Sequence, residues 1–314
     1  MAGQPKSVLT PTIFERLKYD LRHNWQLYLI FLPALVYYII FHYAPMYGVQ
    51  IAFRNYIPAK GIWKSEWWGL YHFERFFRSY NSRTVIFNTL RISLLSLILG
   101  FPCPILLALL VNELRFAWLK KTIQMISYAP HFISTVAIAG MLTILFSVQG
   151  PVAALCSRMG NETYVNLLTK PKGFLWIYVL SGVWQGMGWG SVIYFSVLSG
   201  IDVALHEAAY IDGATKMQRI IHIDIPSIAP TMVIMLILNC GSILSVGYEK
   251  IYLLQNSLNL SMSEVISTYV YKMGLINADF SYSAAIGLFN SIVNLALLVL
   301  VNTIARHVGE NSLW

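Results

Sequence analysis

Long apolar runs separated by short polar segments are the dominant pattern of this sequence. Six of the runs are long enough to supply the roughly 20 apolar residues with which a helix crosses a bilayer. They predict membrane spans near 25–46, 86–111, 123–147, 174–198, 229–247 and 284–305. The predicted fold is an all-α integral membrane protein with a transmembrane domain at 25–305 and polar tails at 1–24 and 306–314.

Composition supports a membrane protein and narrows its chemistry. Hydrophobic residues make up 57% of the 314 positions and charged residues 11%, whereas soluble domains carry about 25% charged residues. The net charge of +8 is spread over tails and loops without a basic run, so no nucleic-acid partner is predicted. The spacing of Cys103, Cys156 and Cys240 fits neither a zinc site nor a disulfide framework.

The sequence contains no arrangement of residues that is typical of an enzyme. Its seven histidines are scattered, and none has a metal-ligand partner three or four residues away. Neither a G-x-S-x-G nucleophile motif nor a Walker A phosphate loop is present. We therefore predict no catalytic residues and no bound metal, and we do not expect this chain to bind ATP itself.

Polar and aromatic groups inside the predicted spans are the candidates for a solute path. Such groups are costly in lipid, so they usually face protein or a water-filled cavity. Aromatic faces stack on the C–H side of sugar rings, and amides bond sugar hydroxyls, which makes a sugar a suitable solute. For any single residue, a hydrogen bond to a neighbouring helix is the simpler explanation. Glu249 and Lys250, at the outer end of the fifth span, are expected to form a local ion pair.

The first long loop, 47–85, is rich in aromatic residues. Aromatic side chains collect where a membrane meets water, so part of this loop is expected to lie along that interface. Docking of an external partner is a second interpretation, and the sequence leaves both open.

A polar segment at 207–226 separates the fourth and fifth predicted spans. It predicts two short helical pieces, broken at Gly213 and stopped at Pro226, because proline has a fixed φ and no N–H. A small apolar face at helical spacing is formed by Ala204, Ala208 and Ile211. From these residues alone, the segment is either a solvated amphipathic hairpin or a helix that docks in a groove of another protein.

The residues of this segment resemble the EAA loop of ABC importer permeases. The motif positions here are Glu207, Ala208, Ala209, Gly213, Ile223, Ile225 and Pro226. Ile225 stands where Leu is usual, which is a mild departure. From about residue 25 onward, the chain is also similar to carbohydrate-uptake permeases of the LplB/YteP type. That similarity is carried by Phe41–Phe53, Tyr128–Ser134, Trp184–Trp189 and Ile266–Val270.

The resemblance implies the type I ABC importer permease fold, with a cytoplasmic EAA coupling loop at 204–226 that docks on an ATPase. The implied coupling residues are Glu207, Ala208, Ala209, Asp212, Gly213, Ile223 and Pro226. Implied partners are ATPase subunits that hold ATP and Mg, a second permease subunit, an extracellular solute-binding protein and membrane lipid. The implied location is the bacterial plasma membrane with both termini cytoplasmic. Lys and Arg are nearly balanced between the two sides, so charge bias alone does not decide orientation.

In related maltose-type permeases the substrate site lies on the helices either side of the EAA loop. The substrate-path candidates here are Gln185, Gly186, Trp189, Asn239, Ser242, Tyr248, Glu249 and Asn290. The implied function is a permease subunit of an ATP-driven, binding-protein-dependent importer of a sugar, most simply an oligosaccharide. The alternative is an ion-coupled secondary carrier of a small polar solute, although the spans lack the line of acidic residues that ion coupling needs.

Overall fold

The computed structural model describes Tyr19 together with residues 22–160 and 164–308. Most of the predicted N-terminal tail, 1–24, and most of the C-terminal tail, 306–314, lie outside these residues. The described chain is almost entirely helical, in agreement with the predicted fold class.

The first half of the described chain combines helices with one small antiparallel sheet. Its elements are α1 (Trp25–Tyr38), α2 (Ala44–Met46), β1 (Arg54–Asn55), β2 (Glu66–Trp67), α3 (Tyr71–Arg78), α4 (Tyr80–Gly100), α5 (Pro102–Asn112), α6 (Ala117–Tyr128), α7 (Thr135–Leu145) and α8 (Pro151–Arg158). A π turn (Ile39–Tyr43) and 3₁₀ turns (Tyr47–Phe53 and Ala129–Phe132) extend these helices.

The second half is helical throughout its regular elements. They are a 3₁₀ turn (Leu167–Thr169), α9 (Pro171–Ser199), α10 (Val203–Ile211), α11 (Lys216–Arg219), a π turn (Ile220–Asp224), α12 (Ile225–Gly241), α13 (Tyr248–Leu254), α14 (Leu260–Ser263), α15 (Ile266–Tyr271), a π turn (Lys272–Ile276) and α16 (Phe280–Val308).

Among the described residues, four continuous helical stretches are long and apolar enough to cross a membrane. They are Trp25–Phe53, Tyr80–Asn112, Lys216–Gly241 and Phe280–His307. Two bent pairs pass the same test only when each is taken together: Ala117–Phe132 with Thr135–Leu145, and Pro171–Ser199 with Val203–Ile211. The six predicted spans therefore correspond to four continuous helices and two regions in which the chain bends sharply.

The third predicted span, 123–147, is wrong as a continuous helix. The chain bends by 96° between Phe132 and Thr135. Pro130 has no N–H to continue the helical pattern, and Ile133 is extended, with ψ 130°. The Ser134 hydroxyl then accepts a hydrogen bond of 3.2 Å from the Ala137 N–H and caps α7.

The predicted helix stop at Pro226 is also wrong, because the helical path runs unbroken from Lys216 to Gly241. The π turn Ile220–Asp224 lies immediately before α12, and the Ile225 N–H bonds the Ile220 carbonyl. Proline is tolerated in the first turn of a helix, and the π turn places Pro226 in that position. The fifth helix ends at Gly241, before the predicted limit of 247.

Helix α9 is the central element of the packed body. Its first half contributes Phe174 and Val179 to one buried cluster, and its second half contributes Tyr194 and Leu198 to another. Gly188 lies directly against the backbone carbonyl of Ser127, so that a Cβ would overlap it. Close backbone approach of this kind is how helices pack where lipid provides no hydrophobic drive.

The aromatic loop after the first span folds into the β1–β2 pair and α3. Phe53 stacks on Trp67 with ring centroids 5.6 Å apart, and Phe76 is buried beside Tyr269 and Tyr282. Trp63 keeps 73% of its surface exposed. These contacts bury part of the loop, and the two interpretations of its exposed aromatic residues remain open.

Replacing Ala278 with glycine should stabilise the protein. Ala278 has a positive φ of 54°, and the Asp279 N–H bonds the Met273 carbonyl at 2.9 Å, which is the helix-ending arrangement that favours glycine. Ala278→Gly is expected to raise the free energy of unfolding by about 1 kcal/mol, measured by thermal unfolding in detergent. The matched change Ala284→Gly, within α16, should lower it; equal effects of both would contradict the assignment.

Candidate functional site

The segment from α10 to the start of α12 is built from strong local signals, and we call it the coupling segment (202–226). The Asp202 carboxylate caps α10 by accepting a 2.9 Å hydrogen bond from the Ala204 N–H. Gly213 has φ +77° and open space around it, so it makes a turn that other residues adopt with strain. Thr215 and Gln218 then form a capping box at the start of α11.

Helix α10 turns by 72° away from α9 and leaves apolar side chains exposed. Tyr210 and Ile211 keep 73% and 84% of their surface accessible. Glu207 is also exposed, and among the described residues it has no ion pair or hydrogen bond. An exposed apolar pair beside a carboxylate without a described partner is typical of a surface that another protein or a membrane covers.

Ionisable side chains brace the coupling segment internally and tie it to the body. Asp224 is 1% exposed, and the Nε2 of His206 on α10 lies 3.4 Å from its Oδ1. Arg219 on α11 lies 3.8 Å from the Glu113 carboxylate at the end of α5. These pairs link three chain segments at one place, so α10 is positioned by contacts and not only by the turns at its ends.

The predicted coupling residues divide by exposure. Glu207, Ala208, Asp212, Gly213 and Pro226 are exposed, whereas Ala209 and Ile223 are half-buried. Docking through these residues stays a prediction. The sequence interpretation missed His206 and Asp224; the available signal was an acidic residue inside the apolar run that leads to the proline.

A cleft of about 850 Å³ lies between α4, α5, α9 and the chain that follows α12. Six of the eight predicted path residues line this central cleft. They are Gln185, Gly186, Asn239, Ser242, Tyr248 and Glu249. Trp189 and Asn290 are not among its lining residues: Trp189 stacks on His131 with centroids 4.9 Å apart, and Asn290 is half-buried on α16. Contact of the six with a solute stays a prediction.

Several polar groups of the cleft already bond protein backbone. The Gln185 amide donates to the Ile133 carbonyl at 3.3 Å, in the break between α6 and α7. Asn239 donates to the Met235 carbonyl at 2.8 Å, and Ser242 donates to Leu238 at 3.4 Å. These donors are therefore explained by hydrogen bonds within the protein. The amide oxygens of Gln185 and Asn239 have no described partner.

The chain is not helical between Gly241 and Tyr248, and this break forms one wall of the cleft. Asn294 on α16 holds it: its Oδ1 accepts from the Leu244 N–H at 3.0 Å, and its Nδ2 donates to the Ser245 hydroxyl at 3.0 Å. Non-helical backbone inside a membrane protein needs such partners, or water, for its polar groups.

Lys250 does not form the expected ion pair with Glu249. Both residues line the cleft, but they differ in burial: Glu249 is exposed, whereas Lys250 is 8% exposed. The Lys250 Nζ lies 5.6 Å from the ring centroid of Tyr178 and has no hydrogen-bond partner in the part of the chain that the structure describes. Burial lowers the pKa of Lys250 to about 8, since a charged ammonium is poorly solvated there.

Comparison with known proteins identifies close relatives over nearly the whole chain. The family "Binding-protein-dependent transport system inner membrane component" matches residues 100–310. The polygalacturonan/rhamnogalacturonan transport system permease protein YteP of Bacillus subtilis (strain 168) is 40% identical over 301 residues, which cover 96% of this chain and 94% of that protein. Protein LplB of the same organism is 39% identical over 294 residues, which cover 93% and 92%.

A solved structure shares the fold. It is a chain of a bacterial alginate ABC transporter in complex with an alginate pentasaccharide-bound periplasmic protein. The two chains superpose with a TM-score of 0.87 at 39% sequence identity, and the match covers 95% of this chain and 100% of that one.

Removing His206 should destabilise the protein because it leaves the Asp224 carboxylate buried without its partner. His206→Ala is expected to lower the free energy of unfolding by about 2 kcal/mol, and adding Asp224→Asn should recover most of that loss. Thermal unfolding in detergent measures both. His222→Ala, at an exposed position, is the control and should have little effect. A double variant no more stable than His206→Ala would contradict the pairing.

Replacing Lys250 with methionine should stabilise the protein, most strongly at neutral pH. Below about pH 8 the lysine is charged in both states, and the folded state bears the full cost of burying it. Between the folded value of about 8 and the ordinary 10.5 the folded state loses its proton first, so the cost fades. Lys250→Met should therefore gain about 2 kcal/mol at pH 7, and the gain should vanish above the ordinary value.

Thermal unfolding across this pH range is the measurement for the lysine. Lys170→Met, which removes an exposed lysine outside the cleft, is the matched control and should show no such pH dependence. A Lys250→Met variant that is less stable than the wild type at neutral pH would contradict the account of an unpaired buried charge.

Proposed function

The chain belongs to the family of binding-protein-dependent transport system inner membrane components, and from that premise we propose that it is one of two permease subunits of an ATP-driven oligosaccharide importer. Members of this family are transporter subunits and not enzymes. Two of its relatives are named for transport of polygalacturonan and rhamnogalacturonan and for transport of alginate. All three are polysaccharides, which supports an oligosaccharide as the solute.

The central cleft is the proposed sugar path. Its volume, about 850 Å³, falls within the roughly 300–1,000 Å³ typical of small-molecule sites. Gln185 and Asn239 offer amide oxygens to sugar hydroxyls, and Tyr248 offers an aromatic face. Trp189 and Asn290, outside the cleft lining of this chain, are left out of the proposed path.

The coupling segment is the proposed contact with the ATPase, and its exposed α10 is the observation that carries the proposal. ATP and Mg bind to that partner, not to this chain. Closure of the ATPase dimer pushes on α10, and the His206–Asp224 pair passes the displacement to the base of α12. Glu207 forms a charge-assisted hydrogen bond with the ATPase, and Gly213 supplies the turn that lets α10 and α11 meet it together.

A second permease subunit completes the path. No residue from Trp25 to Met46 is buried, so the side chains of this helical stretch are available for contact with a partner in the membrane. An external solute-binding protein delivers the sugar to the face opposite the coupling segment. With that segment on the ATPase side, both termini are cytoplasmic in a bacterial inner membrane.

The ion-coupled carrier has no support among the relatives. Of the residues that line the cleft, Glu249 and Lys250 alone carry charge. Neither forms the chain of paired acidic groups with which carriers move protons or sodium.

Affinity purification of the intact assembly from its native membrane tests the proposed function. An ATPase subunit and a second permease should be retained with this chain, and mass spectrometry identifies them. Changing Glu207 and Gly213 together should release the ATPase while the second permease stays. A chain that comes out alone and takes up solute without ATP would overturn the importer and favour the carrier.

Backbone strain at Gly213 should weaken transport more than thermal stability. A side chain at Gly213 meets open space, so the only penalty of Gly213→Val is the strain of a positive φ, about 1–2 kcal/mol. If that strain disfavours the docking conformation of the segment by the same amount, coupled uptake by reconstituted vesicles should fall roughly tenfold. Gly213→Asn is the control, because asparagine tolerates this conformation, and it should keep most of the uptake. Equal uptake by the valine variant and the wild type would remove the turn from the mechanism.

A further inference from the structure

We propose that the central cleft selects carboxylated oligosaccharides and that the Lys250 ammonium pairs with a carboxylate of the sugar. This inference rests on the proposed function, in which the cleft carries a sugar. It names the charge class of the substrate and the residue that recognises it.

The burial of Lys250 without an anion is the observation that points to a ligand. Its side chain is 8% exposed, and lysine is almost never this buried unless it is paired. Within the described residues, the Lys250 Nζ has no hydrogen-bond acceptor. The Tyr178 ring at 5.6 Å gives a partial cation–π contact and leaves the three donors of the ammonium unused.

The acidic residues near Lys250 in the sequence do not neutralise it. Glu249 is exposed and also lines the cleft, but it forms no ion pair with Lys250 in the part of the chain that the structure describes. Glu264 is paired with Lys272 at 2.9 Å, and Asp279 is paired with Arg75 at 2.7 Å. Glu264 and Asp279 are therefore neutralised by other residues, and Glu249, which also lines the cleft, stays on its exposed side. The buried charge of Lys250 has no carboxylate partner among the described residues and is left for something that enters the cleft.

The lysine is held in place and is not a mobile surface group. Ile251 and Leu254, on the same helix, are buried in the core around α9. Its Nζ lies beside Gly182, where a Cβ would stand at van der Waals distance, 4.0 Å away, so the ammonium is packed against α9. A fixed cation of this kind selects for charge without first paying the ordering entropy of a flexible side chain.

The chemistry of the cleft suits a uronate, a sugar whose C6 is a carboxylate at neutral pH. Its carboxylate accepts from the Lys250 ammonium, and its ring faces aromatic groups such as Tyr248. The buried Ser93 hydroxyl, which also lines the cleft and has no described partner, is a further polar group for the sugar. With a pKa near 8, Lys250 is mostly protonated at neutral pH, as pairing requires. A neutral sugar leaves the buried charge uncompensated.

Uptake of a matched pair of probes tests the inference. Short oligogalacturonides and their carboxyl-reduced, neutral counterparts are supplied to the complete assembly, with its binding protein, in reconstituted vesicles. For the acidic probe, Lys250→Met should raise KM about tenfold, the typical effect of losing a charge-assisted hydrogen bond. KM for the neutral probe should stay nearly constant. Lys250→Arg, which keeps the charge, should retain much of the preference, and Lys170→Met is the matched control.

The outcomes separate this inference from the proposed function. Wild-type uptake of the neutral probe alone, or an equal loss of both probes in Lys250→Met, would overturn the role of Lys250 and leave the sugar importer intact. Failure of the wild type to take up either probe would count against the sugar path itself. The variants and the wild type are assayed with the same binding protein. Its own preference between the two probes is therefore the same in each assay and does not affect the comparison.

Discussion

The need to satisfy backbone N–H and C=O groups away from water governs this structure. A continuous helix meets that need by itself, and every break requires a partner from elsewhere in the protein. The break at 242–247 is held by the Asn294 side chain, and the break between α6 and α7 is capped by Ser134 and bonded by Gln185. Both breaks adjoin the central cleft, so the same departures from regular helix that need support also create the polar surface on which a solute path depends.

In the proposed mechanism, packed side chains transmit a displacement of the coupling segment to the central cleft. The second half of α9 shares a buried cluster with α5 and α12 through Leu198, Ala108 and Ile228. The His206–Asp224 contact braces α10 against the turn that leads into α12, and the Arg219–Glu113 ion pair joins α11 to the end of α5. A close-packed interior deforms little under a local force, so in the proposed mechanism a movement of α10 is carried to the helices that line the cleft.

The sequence predicted the helical membrane fold, the approximate spans and the two short helices that are broken at Gly213, because apolar run length and the spacing of capping residues are local properties. Six of the eight predicted path residues line one cleft in the structure, because they lie on neighbouring segments of the chain. Two helix limits were wrong, at Pro226 and within 123–147. A π turn and a sharp break depend on what surrounds the backbone, which a single segment does not encode. The burial of the Lys250 side chain was missed for the same reason: Glu249 is its neighbour in the chain but forms no ion pair with it among the described residues.

The exposed apolar residues of α1 and of α10 have opposite thermodynamic meaning because they meet different solvents. Lipid solvates the apolar side chains of the α1 stretch well, so their exposure provides little driving force for association. A partner is bound there through shape complementarity and polar contacts. In the proposed importer, water surrounds Tyr210 and Ile211, where the same exposure is unfavourable. In the proposed importer, a copy of this subunit made in excess of its ATPase therefore exposes apolar side chains to water at α10, whereas its α1 stretch is satisfied by lipid. Balanced synthesis of the subunits then becomes a condition of solubility as well as of transport.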